Sequence, residues 1–326
     1  MKISYVIPCY NSSKALKKVV FQITEKMRLM SNYEYEIILV DDFSRDDTMT
    51  VIQNLCKECD SIKGLGFSRN FGQHAALMAG FRQVTGDIIV CLDDDGQTPA
   101  EEADKLIDKI IEGYDVVYAK YENKMHSLFR NTGSYINMRM TEKLLGKPEE
   151  LYISSYFAVR RYVIDEIKKY ENPYPYVIGL ILRSTENICN VVVTHRARQE
   201  GRSGYSLKKL IALWVNGFTT FSVKPLRFAV LCGALLSFMG FLCIVWTIIN
   251  KFLNPFVPIG WSSTIAVILI VGGGILLELG VIGEYIGRIY MCINRSPQYV
   301  LKENINTKEG MSAKQGKDSE TFRSPR

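Results

Sequence analysis

The chain lacks charged residues over two long stretches in its second half. Residues 228–250 contain no Asp, Glu, Lys or Arg, and after Lys251 a second uncharged stretch covers residues 252–277. Because a helix of about 20 apolar residues crosses the hydrocarbon core of a bilayer, each stretch is long enough for one span. We therefore expect a transmembrane hairpin over residues 227–290, preceded by a juxtamembrane amphipathic helix over residues 206–226. The alternative is a buried helical hairpin of a soluble protein.

The first residues lack the pattern of a secretion signal, since Met1 is followed by the strand-like KISYVIP rather than by an apolar run with a basic flank. The net charge of +6 suits an anionic lipid surface and does not indicate nucleic acid as a partner. Basic residues near the spans lie mainly on the outer flanks, so we expect both termini in the cytoplasm. These residues are Lys208, Lys209, Lys224, Arg227, Arg288, Arg295 and Lys302.

The eight cysteines lack the spacing of a disulfide framework. Cys56 and Cys59 form a lone CxxC without a second pair, so a zinc site is not expected. A cytoplasmic domain would keep these thiols reduced.

Strand and helix patterns alternate over the first 120 residues in the order βαβαβαβαβ. This order predicts an α/β domain whose mostly parallel sheet is covered on both faces. We place the domain at residues 1–205, and a cytoplasmic tail with a disordered end at residues 291–326. The predicted strands cover residues 3–8, 35–40, 62–66, 87–92, 115–119, 151–159 and 191–194. The predicted helices cover residues 14–30, 48–59, 73–84, 100–112, 133–145, 162–169 and 206–221.

Polar residues follow three of these strands at the point where each strand ends. They are PCYN at residues 8–11, VDDFS at residues 40–44 and DDD at residues 93–95. Ligands of open parallel sheets bind beyond the carboxyl ends of the strands. We therefore expect the three segments to meet at one edge and to form a cleft.

The stretch CLDDDGQTP places Asp93, Asp94 and Asp95 directly after an apolar strand. Three adjacent carboxylates repel one another at neutral pH, so the site needs a compensating partner. Mg²⁺ and Mn²⁺ prefer oxygen ligands, and substrate phosphates can complete their coordination. The alternative is a solvated loop in which Asp95 or Thr98 caps the next helix.

Four motifs carry a family resemblance: IPCYN, VDDFS, RNFGQHAAL and LDDDGQTPAEE. With the hairpin that ends in GEYIGRIY, the chain resembles the GT-A fold glycosyltransferases of family 2. Within that family it resembles the bacterial polyprenyl-phosphate glycosyltransferases, relatives of dolichol-phosphate mannose synthase. The resemblance covers about residues 3–300. It implies a multi-pass protein of the bacterial inner (plasma) membrane with a cytoplasmic catalytic domain, and a homo-oligomer, with a tetramer favoured.

For the donor, the resemblance implies a nucleoside-diphosphate sugar, with UDP as the expected nucleotide. Asp93 and Asp95 match the two acidic positions that hold Mg²⁺ or Mn²⁺ at the diphosphate. Gln97 matches a polar position near the sugar or the acceptor phosphate. Asp94 fills the variable middle position, where strand alternation points it away from its neighbours. The resemblance does not identify the sugar.

The nucleotide pocket should combine a tyrosine ring against the base with a carboxylate that accepts the imide proton of uracil. The resemblance assigns it to Pro8, Tyr10, Asn11 and either Asp41 or Asp42. For the two aspartates, capping of the following segment is the alternative. Phe43 stands at the family's glycine position, and a bulky residue there disfavours a left-handed turn.

Residues 69–72, RNFG, precede a predicted helix start, where backbone amides and Arg69 can face an anion. Capping of that helix by Asn70 is the alternative. His74, on the same helix, is interpreted as structural rather than catalytic.

A basic loop lies just before the juxtamembrane helix. The guanidinium fork of arginine matches phosphate geometry, and the resemblance places an arginine of this loop near the phosphates. Arg202 in EGRSGYS is the best match. We assign the acceptor phosphate to Arg198, Arg202, Ser203 and Tyr205. Binding of lipid headgroups is the alternative for this loop.

Several relatives carry an aspartate as general base where alignment through Arg161 places Ser155. A hydroxyl acceptor needs a base to remove its proton. A lipid phosphate does not, because the second pKa of a phosphomonoester is about 6. The serine therefore favours a phosphate nucleophile.

These features predict an inverting, metal-dependent transfer of a sugar to undecaprenyl phosphate, for the modification of cell-envelope glycans. One rival is a processive polysaccharide synthase, although the QxxRW segment and the additional spans typical of those enzymes are missing from the sequence. A second rival is a catalytically silent lipid-linked-sugar transporter or scaffold. Glu278 is the acid expected at depth in a span, and such an acid is a candidate functional group.

Overall fold

The computed structural model describes residues 1–121, 150–194, 224–253, 260–294 and 296–307. These residues belong to two compact units. The first comprises Met1–Tyr205 and Pro297–Arg326, and the second comprises Ser206–Ser296.

Eight strands of the first unit form one sheet: β1 (Lys2–Cys9), β2 (Glu34–Asp41), β3 (Ile62–Phe67), β4 (Ile88–Cys91), β5 (Val116–Tyr121), β6 (Phe157–Arg160), β7 (Ile188–Val193) and β8 (Leu301–Ile305). Their order across the sheet is β7-β5-β6-β4-β1-β2-β3-β8. Strand β1 pairs in parallel with β2 and β4, and the pairs β2–β3 and β5–β7 are also parallel. Strands β6 and β8 pair antiparallel with their neighbours. The prediction of a mostly parallel α/β sheet is confirmed.

The helices described in this unit are α1 (Leu16–Leu29), α2 (Thr48–Glu58), α3 (Gln73–Gln83), α4 (Ala103–Ile111), α5 (Arg161–Ile167) and α6 (Val177–Ser184). In α1 the buried residues Leu16, Val19, Val20, Ile23 and Met27 recur at helical spacing and form one face. A 3₁₀ turn, Ala100–Glu102, precedes α4, so that helix begins later than predicted. Helix α6 was not predicted. The predicted helices at residues 133–145 and 206–221 lie outside the described residues.

The central strands supply the core. Ile3, Tyr5 and Ile7 lie on one face of β1 and Val6 lies on the other, and all four are fully buried. Burial of both strand faces is typical of a sheet with helices on either side, and it explains the nearly continuous apolar runs in the sequence. The predicted strand at residues 151–159 is shorter in the structure, because β6 begins only at Phe157.

Glu36 is buried at the end of the sheet opposite to the polar strand ends. The side chain of Glu36 accepts hydrogen bonds from Ser4 Oγ (2.6 Å), Lys63 Nζ (2.7 Å) and the amide of Thr85 (2.5 Å). Lys2 Nζ lies 3.3 Å from Glu36 Oε2. Burial alone would raise the pKa of Glu36, but the bonds from Lys63, Ser4 and Thr85 outweigh it and lower the pKa to about 2. This acid is fully compensated by the fold.

Strand β8 was not predicted. The sequence predicts a tail over residues 291–326, but Leu301–Ile305 pairs with β3 and extends the sheet. Asn306 secures the strand end, since its Nδ2 donates to the carbonyls of Cys56 (2.7 Å) and Ile62 (3.0 Å). The end of the predicted tail, from residue 308, lies outside the described residues.

The second unit contains two long helices, α7 (Lys224–Leu253) and α8 (Trp261–Ile293). Within the described residues, Ile270–Ile293 is long and apolar enough to cross a membrane, and Ala229–Leu242 is a shorter apolar segment. Many large apolar side chains of both helices are exposed, for example Trp246 and Leu276. An apolar exposed surface of this kind suits contact with lipid.

The two long helices approach each other closely at Gly233. A side chain at this position of α7 would meet the carboxylate of Glu278 in α8, and that carboxylate would have to move aside. The acid expected at depth in a span therefore lies at a helix–helix contact within this unit.

Candidate active site

The three polar strand ends meet at the carboxyl edge of the sheet, as predicted. Strand β1 lies between β2 and β4, and hydrogen bonds join the loops that follow them. The amide of Tyr10 donates to Asp94 Oδ2 (2.9 Å), and the amide of Asn11 donates to Ser44 Oγ (2.9 Å). Asn11 Oδ1 in turn accepts from the amide of Arg45 (2.8 Å). The topology and these bonds make one connected edge.

Asp93 lies at the centre of this edge. It accepts a hydrogen bond from Ser155 Oγ, just before β6, and another from Gln73 Nε2 at the start of α3 (3.0 Å). Burial raises the pKa of Asp93 to about 6, and the charges of Asp95 and Asp94 act in the same direction. The predicted positions Asp93 and Ser155 are thus brought together from distant parts of the sequence.

The side chains of the acidic triplet have different partners. Asp94 accepts the Tyr10 amide and belongs to the contact between β1 and β4, which agrees with the expectation that it points away from its neighbours. Burial raises the pKa of Asp94 as well. Asp95 Oδ1 accepts the amide of Gln97 (3.0 Å), across a turn in which Gly96 has φ of 73°. Glycine adopts this left-handed conformation without steric cost.

The donor atoms at this edge fit a hard divalent cation. Among the residues that the structure describes, no group of three or more His, Cys, Asp or Glu side chains is arranged to hold a metal on its own. Asp93 and Asp95 offer carboxylate oxygens, and Asp94 is committed to the Tyr10 amide. An ion with so few protein ligands completes its coordination with water and with substrate phosphates, which is usual for Mg²⁺.

The two aspartates at the end of β2 are buried and accept hydrogen bonds from different loops. Asp41 accepts bonds from the amide of Ser44 (3.2 Å) and from its hydroxyl, and burial raises the pKa of Asp41. Asp42 accepts the amides of Phe71 (2.7 Å) and Gly72 (2.9 Å). Burial raises the pKa of Asp42 to about 6 despite these two bonds.

The bonds to Asp42 correct the expectation for residues 69–72. The amides of Phe71 and Gly72 face Asp42, so they are not open to an external anion. Asn70 Nδ2 donates to the carbonyl of Asp42 (3.1 Å), and Gly72 is the N-cap of α3, so the alternative of capping by Asn70 is also wrong. Arg69 is exposed, with its guanidinium carbon 4.6 Å from the ring centre of Phe71.

Phe43 adopts the left-handed conformation, with φ of 61°. The expectation that its bulk would disfavour such a turn is therefore not met. Ser44 and Asp41 close the turn through their hydrogen bonds, and Asn11 on the neighbouring strand end also has a positive φ of 54°. Pro8 is partly buried at the end of β1, and Tyr10 is 46% exposed.

His74 is placed as the structural interpretation expects. Burial lowers its pKa to about 4, so the ring is neutral at physiological pH. The ring lies edge-on to Tyr176, with 5.0 Å between the ring centres. Gln73, its neighbour, was missed by the sequence reasoning, although its position directly after RNFG at a helix start placed it near the same edge.

Four of the predicted site residues, Arg198, Arg202, Ser203 and Tyr205, lie outside the described residues. Gln97 is partly buried beside Asp95, and its amide donates to that carboxylate.

The mostly parallel sheet with acidic residues at its carboxyl edge defines an α/β class of fold, and the family comparison agrees. Residues 4–168 match the model for Glycosyl transferase family 2, and residues 224–289 match the model for the GtrB C-terminal hairpin. The first match covers just over half of the chain, and the chain therefore belongs to glycosyl transferase family 2.

Its curated relatives include the undecaprenyl-phosphate 4-deoxy-4-formamido-L-arabinose transferases of Yersinia pestis and Yersinia pseudotuberculosis serotype I. Each is 33% identical over 311 residues, which cover 94% of this chain and 95% of the relative. Similar solved structures include glucosyl-3-phosphoglycerate synthase from Mycobacterium tuberculosis, in complex with UDP and in complex with Mn²⁺, UDP-glucose and phosphoglyceric acid. Both have a TM-score of 0.51 and 18% identity, and cover 68% of this chain and 78% of that one. At this identity they support the GT-A fold alone.

Proposed function

We propose that the chain transfers a sugar from a UDP-sugar to undecaprenyl phosphate, with inversion at the anomeric carbon. The observation that carries the proposal is the convergence of Asp93, Asp95 and Ser155 at the edge where β1, β2 and β4 end. The Yersinia relatives act on undecaprenyl phosphate by name, and they match almost the full length of this chain. The product is a polyprenyl-monophosphate sugar for modification of cell-envelope glycans.

Asp93 and Asp95 would hold Mg²⁺ or Mn²⁺ at the diphosphate of the donor. When bound, the ion neutralises the charge that builds up on the leaving diphosphate. Ser155 and Gln73 hold the Asp93 carboxylate through their hydrogen bonds, which fixes its direction before substrate arrives.

The nucleotide would lie against the ends of β1 and β2. Pro8, Tyr10 and Asn11 form one side of this pocket, and the backbone bond of Asn11 to Ser44 connects it to the other. Asp41 or Asp42 accepts the imide proton of uracil. Arg69 is exposed above the start of α3 and can approach the diphosphate.

The acceptor is a lipid phosphate rather than a hydroxyl. Its oxygen attacks the anomeric carbon from the face opposite the diphosphate, and the bond from that carbon to the diphosphate oxygen breaks with its electron pair on the oxygen. Because the nucleophile carries no proton to remove, Ser155 can stand where a base would otherwise be required. Arg198, Arg202, Ser203 and Tyr205 would hold the acceptor phosphate and offset the repulsion between two anions.

The second unit would keep the lipid acceptor within reach of the site. We propose a membrane hairpin over residues 227–290 in the bacterial inner membrane, with the catalytic domain and both termini cytoplasmic. The juxtamembrane helix at residues 206–226 would lie at the interface. A homo-oligomer, with a tetramer favoured by the family resemblance, completes the proposed assembly.

The experiment is a transfer assay with the full chain in nanodiscs. A panel of UDP-sugars is offered with undecaprenyl phosphate, in the presence of Mn²⁺, Mg²⁺ or a chelator. We expect one sugar to appear in the lipid fraction only with metal, and Asp95→Ala to abolish the transfer. Asp108→Asn, an exposed acid on α4, is the matched control that should retain it. Absence of lipid-linked sugar with every donor would support the scaffold alternative.

A further inference from the structure

Phe43 combines a left-handed backbone conformation with a large side chain that is partly exposed. Its φ of 61° lies in the left-handed region, which is unfavourable for a residue with a large side chain. Phe43 is 44% exposed, so burial compensates this conformation only in part. A strained residue that gains little from packing persists where the surroundings hold it, and such positions are enriched at functional sites.

The surroundings of Phe43 hold the turn from both sides. Before it, Asp42 is anchored by the amides of Phe71 and Gly72. After it, the amide and hydroxyl of Ser44 donate to Asp41. The conformation of the turn is therefore fixed by buried carboxylates, and the Phe43 ring is presented to solvent rather than drawn into the core.

Tyr10 lies at the strand end next to the turn that contains Phe43. The amide of Asp42 donates to the carbonyl of Cys9 (2.9 Å), and the amide of Asn11 donates to Ser44 Oγ (2.9 Å). Each bond joins residues adjacent to Tyr10 and Phe43, so the two aromatic residues lie on facing strand ends. Tyr10 is 46% exposed, and among the described residues neither ring takes part in an aromatic contact.

We propose that Phe43 is a specificity-determining residue whose ring contacts the nucleobase of the donor, opposite or beside the ring of Tyr10. This inference rests on the proposed function, since it assumes that a nucleotide binds at this edge. A planar, apolar face is what a base offers, and stacking of a base on an aromatic side chain is worth roughly tenfold or more in affinity. Phe43 therefore acts on recognition of the base and not on the diphosphate or the sugar.

The test separates binding of the base from binding of the diphosphate. Affinity of the full chain in detergent is measured by calorimetry with Mn²⁺ and either UDP or inorganic pyrophosphate. For Phe43→Gly we expect binding of UDP to weaken roughly tenfold while binding of pyrophosphate stays unchanged. The melting temperature should not fall, because glycine relieves the left-handed strain. Phe43→Tyr, which keeps a ring, should bind UDP with the affinity of the wild type.

Tyr174 provides a matched control. It is also an aromatic residue with a positive φ, of 59°, and it is 50% exposed, but it lies in the connection between α5 and α6. Tyr174→Gly should leave the affinity for UDP unchanged. If Phe43→Gly weakened UDP and pyrophosphate equally, or weakened neither while the wild type bound UDP, the inference would be wrong and the proposed function would stand. If the wild type bound neither probe, both would be wrong.

Discussion

Buried acids have opposite electrostatic environments at the two ends of the central sheet. At one end Glu36 is surrounded by Lys63, Lys2 and hydroxyl and amide donors, and its pKa falls to about 2. At the other end Asp42 and Asp93 have raised pKa values of about 6, and no ion pair is made by either within the described residues. The same fold therefore gives Glu36 a cationic partner, whereas among the described residues it gives Asp42 and Asp93 hydrogen bonds without one.

The difference indicates which end evolved for stability and which for binding. An acid that is paired and hydrogen-bonded contributes to folding, whereas clustered acids with raised pKa values cost stability and mark functional sites. We propose that a divalent cation supplies the positive charge that the described residues of this edge do not.

The largest expected effect concerns the carboxyl edge. Asp93→Asn should lower transfer by about a thousandfold or more, of the order lost when one group that stabilises a transition state is removed. Its melting temperature should stay level or rise, because one of the mutually repelling charges is gone. Parallel measurement of transfer rate and melting temperature checks this. A variant that lost activity and stability together would remove the contrast between the two ends.

The opposite pattern is expected at the other end. Glu36→Ala should lower the free energy of unfolding by about 3 kcal/mol, because it leaves the largely buried ammonium of Lys63 without its partner. The KM for the donor should not change. Denaturant unfolding gives the free energy of unfolding, and steady-state kinetics give the KM. Glu25→Ala is the control, since Glu25 pairs with Arg28 on the exposed face of α1 and should lose less than about 1 kcal/mol.

The two ends should also respond oppositely to pH. The pKa of Glu36 is lowered on folding, so its contribution is full above about pH 4.5 and is lost as pH falls towards 2. The pKa of Asp42 is raised, so its contribution is present below about pH 4 and is lost as pH rises through 6.

The stability of Asp42→Asn relative to wild type should therefore increase between pH 5 and pH 7.5, by about 1 kcal/mol in the free energy of unfolding. The charge of Asp41 faces the same group and acts in the same direction. Melting curves of both proteins across this range are sufficient. A difference that is constant with pH would show that Asp42 does not titrate there.

The smallest effect is expected at the predicted base position. Ser155→Asp places another carboxylate beside Asp93, where it repels both that acid and an incoming lipid phosphate. Transfer should slow by about tenfold, which corresponds to about 1.4 kcal/mol. Ser155→Ala is the comparison, since it removes the hydrogen bond without adding charge. Unchanged or faster turnover in Ser155→Asp would contradict the phosphate-nucleophile interpretation.

Much of the fold could be predicted because its signals are local. Apolar runs bounded by polar turns predict strands β1 to β5 and β7 to within a few residues. For β6 they predict only the C-terminal end correctly. Their order predicted the edge at which Tyr10, Asp42 and Asp93 meet. Strand β8 could not be predicted in this way, because LKENI is short and polar, and its pairing of Ile305 with Gly64 joins distant parts of the chain.

The details of the site depend on contacts that the sequence does not encode locally. That Asp42 takes the amides of Phe71 and Gly72, and that Ser155 reaches Asp93, follow from packing between loops far apart in the chain. Phe43 adopts a conformation that residue preferences disfavour, because the neighbouring carboxylates hold it. These are the positions where sequence reasoning was incomplete or wrong.

The uncompensated charge at the carboxyl edge can be tested most directly by titrating Mn²⁺ into the full-length protein, with and without UDP, and following bound Mn²⁺ by electron paramagnetic resonance. We predict one tight site that appears only when UDP is present, is lost in the Asp93→Asn, Asp95→Asn double variant, and persists in Asp108→Asn. Tight binding of Mn²⁺ with UDP in the double variant, at the wild-type affinity, would contradict the assignment of this edge as the donor site.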